Sequence, residues 1–248
     1  RQFRTLEGRD PDLVIATNAG GGNLTGTARG LLHENCATPV AAASVSLHGL
    51  HMASDTQFNR KSFTTGHTGF GMPFSTWPDR SDVPRSAGRP LRYLHSYHTV
   101  TQGEVFFMTE TLSRLEGMER GPAGNTSLAA AFSLARQMPS DQCIVVQETE
   151  YTGAGKHHNA QLAFARSRGI DIRFGDPRDE VPGQSIVLPR APELIQAQEA
   201  DLAQMRRSLI RNARQHFPGL VRPEDIPFLM DETRADEAFV RAECEEEP

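Results

Sequence analysis

Short apolar runs alternate along this chain with amphipathic stretches, and that alternation sets the first expectation. Leu13-Val14-Ile15-Ala16 is an apolar run bounded by polar residues, which predicts a buried strand. A glycine turn follows at Gly20-Gly21-Gly22, and then a helix built from small residues. Val40 to Leu47 predicts a second buried strand and Cys143 to Gln147 a third. Between them, Gln102 to Met118 has helical periodicity with a stop signal at Gly117, and Ser127 to Met138 reads as a helix that Asn125 or Thr126 can cap. Asn159 to Arg168 reads as a helix and Ile170 to Phe174 as a short edge strand. Pro192 to Phe217 is a charged amphipathic helix, and Asp236 to Glu245 a final acidic one. The last two are expected on the outside, as packed helices or as a partner-binding surface.

The remaining long stretch, His51 to Tyr97, is rich in Gly, Pro and aromatic residues. Phe63, Phe70, Phe74 and Trp77 argue against disorder, so an ordered loop over a site or interface is expected, or a surface excursion. Strands alternating with helices predict an α/β fold with a doubly wound, mostly parallel sheet. Residues 1–188 form the main body in this reading, with the long loop at 51–100, and residues 189–248 a helical extension. Ligands of such sheets bind at the carboxyl ends of the strands, so the turn at Ala19–Thr25 and the exits at Ser46–His51 and Glu148–His158 should share one face.

The glycine turn is the first candidate site. A turn of this kind, opening a helix, can aim consecutive backbone N–H groups at one phosphate-sized anion. Gly20, Gly21, Gly22 and Asn23 would supply main chain and Thr25 a hydroxyl; alternatively, the glycines only solve tight connection geometry. Neither G-x-G-x-x-G with a ribose-binding acid nor G-x-x-x-x-G-K-[ST] is present, which suits a phosphorylated cofactor better than ATP.

Composition narrows the classes. The 248 residues allow one large α/β domain, and a formal charge of −5 gives no support to nucleic-acid binding. No apolar run approaches membrane-spanning length. Cys36, Cys143 and Cys244 stand in no paired spacing, which indicates neither a disulfide framework nor a zinc cluster and fits the cytoplasm. His48, His51, His157 and His158 could suggest a metal, but His-x-x-His alone arises readily by chance; no metal is expected. No G-x-S-x-G elbow is present for a serine hydrolase. Glu148 and Glu150 could hold an ammonium, act as bases, or be solvated loop carboxylates. Against 24 Arg there are only two Lys, Lys61 and Lys156, and either could anchor a cofactor aldehyde or simply be solvated.

With these segments placed, AGGGNLTG followed by GNTSLAAAFSLARQMPSDQCIVV resembles the fold-type II pyridoxal 5′-phosphate (PLP) enzymes, the cysteine synthase and threonine synthase group. Within that group, NAGGGNLTGTARG, LHMASDTQFNRKSFTTGHTGFGMPF and VVQETEYTGAGKH are similar to the family of 2-amino-4-oxopentanoate thiolase beta subunits. The resemblance implies a tryptophan synthase beta-like fold, with Gly20, Gly21, Gly22, Asn23 and Thr25 on the cofactor phosphate. Gly124 falls where many relatives carry a serine facing the pyridine nitrogen, leaving Asn125 and Thr126 as replacements. The lysine that anchors the aldehyde lies N-terminal to the phosphate loop in such proteins. This chain is therefore expected to be a C-terminal portion, inactive alone, with Lys61 and Lys156 non-catalytic and no catalytic residue assigned. The implied reaction is thiolytic cleavage of 2-amino-4-oxopentanoate by coenzyme A to acetyl-CoA and alanine, with a small alpha subunit as partner and an oligomeric assembly. The alternatives are a PLP-dependent amino-acid lyase or synthase on the same fold, or a non-catalytic module that binds a phosphorylated ligand.

Overall fold

The structure, a computed structural model, describes residues 1–47, 63, 85–148, 158–216 and 222–245. Most of the long loop therefore lies outside the described residues, as do Lys61, Lys156, His48, His51, His157 and Glu150.

After a short helix α1 (Gln2–Glu7), the chain enters β1 (Leu13–Thr17), turns through the glycines into α2 (Gly22–His33), and returns as β2 (Val40–Val45). A helical turn at Arg85–Gly88 and a 3-10 turn at Arg89–Tyr93 lead to β3 (Ser96–Val100) and α3 (Gln102–Glu116). Then come α4 (Thr126–Ala135), β4 (Ile144–Gln147) and α5 (His158–Ser167). The chain closes with β5 (Asp171–Gly175), β6 (Ser185–Pro189), β7 (Gln198–Glu199), α6 (Leu202–His216), α7 (Ile226–Thr233) and α8 (Glu237–Glu245).

The main sheet has the order β4-β1-β2-β3-β7, parallel except at β7, and β5 pairs with β6 in a separate parallel pair. This is the expected α/β fold with a mostly parallel sheet. Its middle strand β2 is buried along its whole length because both faces are covered. Ala41, Ala43 and Val45 point into a core with Val105 and Met108 of α3 and Ala129, Ala130 and Ala131 of α4. Val40 and Ala42 point the other way, to Leu24 and Ala28 of α2, Leu91, Tyr97, and Met205 and Leu209 of α6. The alternation is the strand period of two made visible.

Several elements differ from the sequence expectation. Ser96–Val100, read as loop, is a strand whose Tyr97 is fully buried, and β6, β7 and α7 were not expected. The helix expected over Pro192–Phe217 starts only at Leu202; the residues before it form a 3-10 turn and β7. α4 starts as expected, yet Asn125 at its N-cap position makes no side-chain cap bond.

The start of α3 is closed by carboxylates. Thr101 and Glu104 form a reciprocal capping box. Glu180, itself buried, accepts from the Gln102 N–H at 2.9 Å, the Gly103 N–H at 2.9 Å and the Val187 N–H at 3.2 Å, joining α3 to β6. The backbones approach so closely that a Cβ at Gly103 would lie 1.8 Å from the Val187 carbonyl oxygen. Burial, only partly offset by these N–H donors and reinforced by Glu104, pushes the Glu180 carboxyl up to about 7.

Two outcomes follow for stability. Gly103→Ala should cost about 3 kcal/mol or more in denaturant unfolding, because backbone rather than a flexible side chain must give way. Gly117→Ala, at φ +64° with open space around it, should cost only about 1 kcal/mol. Separately, the folded state holds the Glu180 proton more tightly than the unfolded chain does. The stability this supplies is complete below the ordinary glutamate value and is lost as pH rises toward about 7, by up to about 3 kcal/mol. Unfolding titrations from pH 4 to 8 should show that loss, and Glu180→Gln should remove it.

Candidate functional site

Because β4, β1, β2 and β3 are parallel, their carboxyl ends share one edge, and the glycine turn leaves β1 there. Gly21 takes φ +80°, a left-handed conformation that glycine adopts without the steric cost other residues meet, and it stands at the N-cap position of α2. No side chain caps this helix and no acid lies in its first turn. The first intrahelical bond recorded runs from the Thr25 N–H to the Gly21 carbonyl at 3.1 Å. The N–H groups of Gly22, Asn23 and Leu24 therefore precede the helical ladder and need an acceptor from elsewhere. A Cβ built on Gly20 or Gly22 meets nothing within 4 Å, so open space lies against the turn.

The hydroxyl of Thr17, the last residue of β1, ties this turn to the start of α4. It lies 3.4 Å from the Ala123 carbonyl and 3.3 Å from that of Gly124, and it accepts from the Ser127 N–H at 3.1 Å. Ser127 in turn donates to the Gly124 carbonyl at 3.2 Å and the Gln147 carbonyl at 3.4 Å, at the end of β4. The Thr27 hydroxyl donates to the Gln147 side chain at 2.7 Å. The start of α4, which carries Asn125 and Thr126, is thus tied to Thr17, three residues before the glycine turn.

Beneath the turn, Asn18 donates to the Tyr97 hydroxyl at 3.2 Å and to the Ala87 carbonyl at 3.3 Å. Ser44 donates to the Asn18 carbonyl at 2.8 Å and lies 2.5 Å from the Tyr97 hydroxyl. Thr17, Asn18, Ser44, Tyr97 and Ser127 were missed in the sequence. Thr17 and Asn18 were signalled only as polar residues after an apolar run, and Ser44, Tyr97 and Ser127 carried no local signal.

Four buried polar atoms in this region have no hydrogen-bond partner: Thr25 Oγ1, Thr126 Oγ1, Asn18 Oδ1 and Asn125 Oδ1. Asn125 is committed on its other side, where its amide donates to Thr109 Oγ1 of α3 at 3.1 Å. Buried polar atoms are rarely left unpaired, and unpaired hydroxyls beside an uncapped helix start are the donor set that a phosphate lacks for. Glu148 is the described part of the β4 exit. Among the described residues no cluster of three metal-ligating side chains occurs, and no helix is long and apolar enough to cross a membrane.

Residues 3–150 match the family described as pyridoxal-phosphate dependent enzyme. The 2-amino-4-ketopentanoate thiolase beta subunit of Acetoanaerobium sticklandii is 63% identical over 246 residues, which is 99% of this chain and 52% of that protein. A protein of the same name from an unknown prokaryotic organism is 58% identical over 241 residues, 96% of this chain and 51% of its own. The chain spans about half the length of these curated relatives. Among solved structures, O-ureido-L-serine synthase matches 65% of this chain and 44% of its own at 15% identity and a TM-score of 0.41. An uncapped helix start, a left-handed glycine and orphaned buried hydroxyls at the carboxyl edge suit a cofactor held by its phosphate. On the match that spans β1 to β4, this chain belongs to the pyridoxal-phosphate dependent enzymes.

Proposed function

We propose that this chain is the phosphate-holding part of a PLP-dependent thiolase beta subunit. The reaction is cleavage of 2-amino-4-oxopentanoate by coenzyme A to acetyl-CoA and alanine. The observation that carries the reading is 63% and 58% identity, sustained over nearly the whole chain, to two proteins of that name. Their designation as beta subunits supports a small alpha subunit as partner.

In this reading the main chain of Gly20, Gly21, Gly22 and Asn23 faces the cofactor phosphate, with the Thr25 hydroxyl as an additional donor. Asn125 and Thr126, tied to the same edge through Thr17, lie toward the ring. The positive end of α2 favours a dianion at this place, and no side chain of the first turn competes for it. When bound, PLP supplies an electron sink for charge developing beside the substrate's amino group. Asn18, fixed by Tyr97 and Ala87, holds the strand end from which the turn departs. Phe63 is the described residue of the aromatic segment: its N–H donates to Gln102 Oε1 at 2.8 Å and its ring meets Phe164 edge-on at 5.9 Å. That segment, Ser62 to Trp77, would be a substrate cover or a subunit contact.

The full-length subunit combined with its alpha partner should release acetyl-CoA and alanine from 2-amino-4-oxopentanoate and coenzyme A. Release of ammonia or pyruvate instead, with no acetyl-CoA, would show a lyase and overturn the thiolase reading. For the phosphate grip, Thr25→Val keeps the shape and removes an unpaired buried hydroxyl. Its melting temperature should hold or rise, while cofactor affinity, followed by PLP absorbance, should fall about tenfold. Unchanged affinity would remove Thr25 from the site.

A further inference from the structure

A cavity of about 420 Å³ opens at the amino end of β2, on the edge of the sheet opposite the glycine turn. Five strand steps from Val40 to Val45 separate it from the carboxyl edge by about 17 Å. Leu31, Val40 and Tyr93 give it apolar walls, and Arg92, His95 and Arg234 bring positive charge and donors to it.

The three basic side chains are not equivalent. Arg92 is committed: it reaches Asp231 at 2.5 Å and Glu232 at 3.2 Å. Among the described residues Arg234 has no ion pair or side-chain hydrogen bond, although Asp231 lines the same cavity. Its charge is felt around it. Burial first, and then Arg234, lowers the proton affinity of both His95 and Arg206, with Asp201 opposing the effect at Arg206. The Nε atom of Arg206 is buried without a partner. Arg234 thus stands at this cavity as a guanidinium with no ion pair among the described residues.

Two geometric facts bear on what that guanidinium faces. His95 Nδ1 accepts from the Val40 N–H at 3.1 Å, which places the proton of the neutral ring on Nε2, on an exposed side chain. Arg234 sits at φ +56°, at the C-cap of α7, a conformation that favours glycine. An unpaired arginine in this left-handed conformation, on the rim of a cavity, points to a use for its guanidinium.

We propose that this cavity binds an organic anion. Its phosphate or carboxylate would be held by the Arg234 guanidinium and the His95 Nε2–H, and its apolar body would lie against Leu31, Val40 and Tyr93. Such a ligand would bind apart from the carboxyl edge, at the opposite ends of the same strands. The proposal does not depend on the thiolase reading.

Isothermal titration calorimetry on the cofactor-loaded full-length protein tests it with two probes, AMP as an organic phosphate and hippurate as an organic carboxylate. At least one should bind with Kd below about 1 mM, and which one binds identifies the charged group. Arg234→Gly should weaken that binding about tenfold or more, with cofactor absorbance unchanged and the melting temperature equal or higher, because glycine suits the left-handed position. Arg234→Gln, which keeps length and removes charge, should weaken binding in the same way. Failure of both probes to bind, or wild-type affinity in both variants, would overturn the proposal.

Discussion

The open first turn of α2 is the constraint on which the rest of the molecule's reading depends. A helix start with no side-chain cap and no acid keeps its N–H groups available, and those groups are costly to bury unpaired. Everything around the turn serves to aim them. β1 is buried between two covered faces, so its end is fixed. Gly21 bends the chain where a side chain would be strained, and the Thr17 hydroxyl binds that strand end to the start of α4.

That fixity rests on small residues. Ala41 and Ala43 on β2 meet Ala129, Ala130 and Ala131 on α4, which lets helix and sheet approach closely. Interiors packed in this way transmit displacement rather than absorb it. The tie between β1 and α4 therefore acts on a stiff frame, and the relation between the glycine turn and Asn125–Thr126 is set by the core as well as by the loops. The Asn18, Ser44 and Tyr97 network adds a polar lock across three neighbouring strand positions on the α2 face.

Much of this frame was legible in the chain itself. β1, α2, α3, β4, α5 and α8 announce themselves through apolar runs, helical period and glycine stops, because burial and local backbone preference agree there. β3 was hidden since Ser96–Val100 is half polar and follows a long aromatic loop. Tyr97 is identifiable as core only once Ala42 and Ser44 are seen beside it. The helix expected from Pro192 was drawn too long because charge and alanine content continue through residues that pair with β3 instead. In the site, the glycines and Thr25 were readable from their local pattern. Thr17, Asn18 and Ser127 were not, since their roles are contacts between segments more than 60 residues apart. Glu180 was invisible for the same reason: nothing near it in sequence shows that it reaches the start of α3.

That carboxylate has a meaning beyond the stability of α3. Two long helices begin next to the ends of parallel strands, α2 after β1 and α3 after β3, and each start carries the same partial positive charge. At α3 the chain answers that charge itself with Glu104 and Glu180, while at α2 it supplies nothing. The α3 start is thus filled from within the chain, while the α2 start leaves its N–H groups open to an acceptor from outside it.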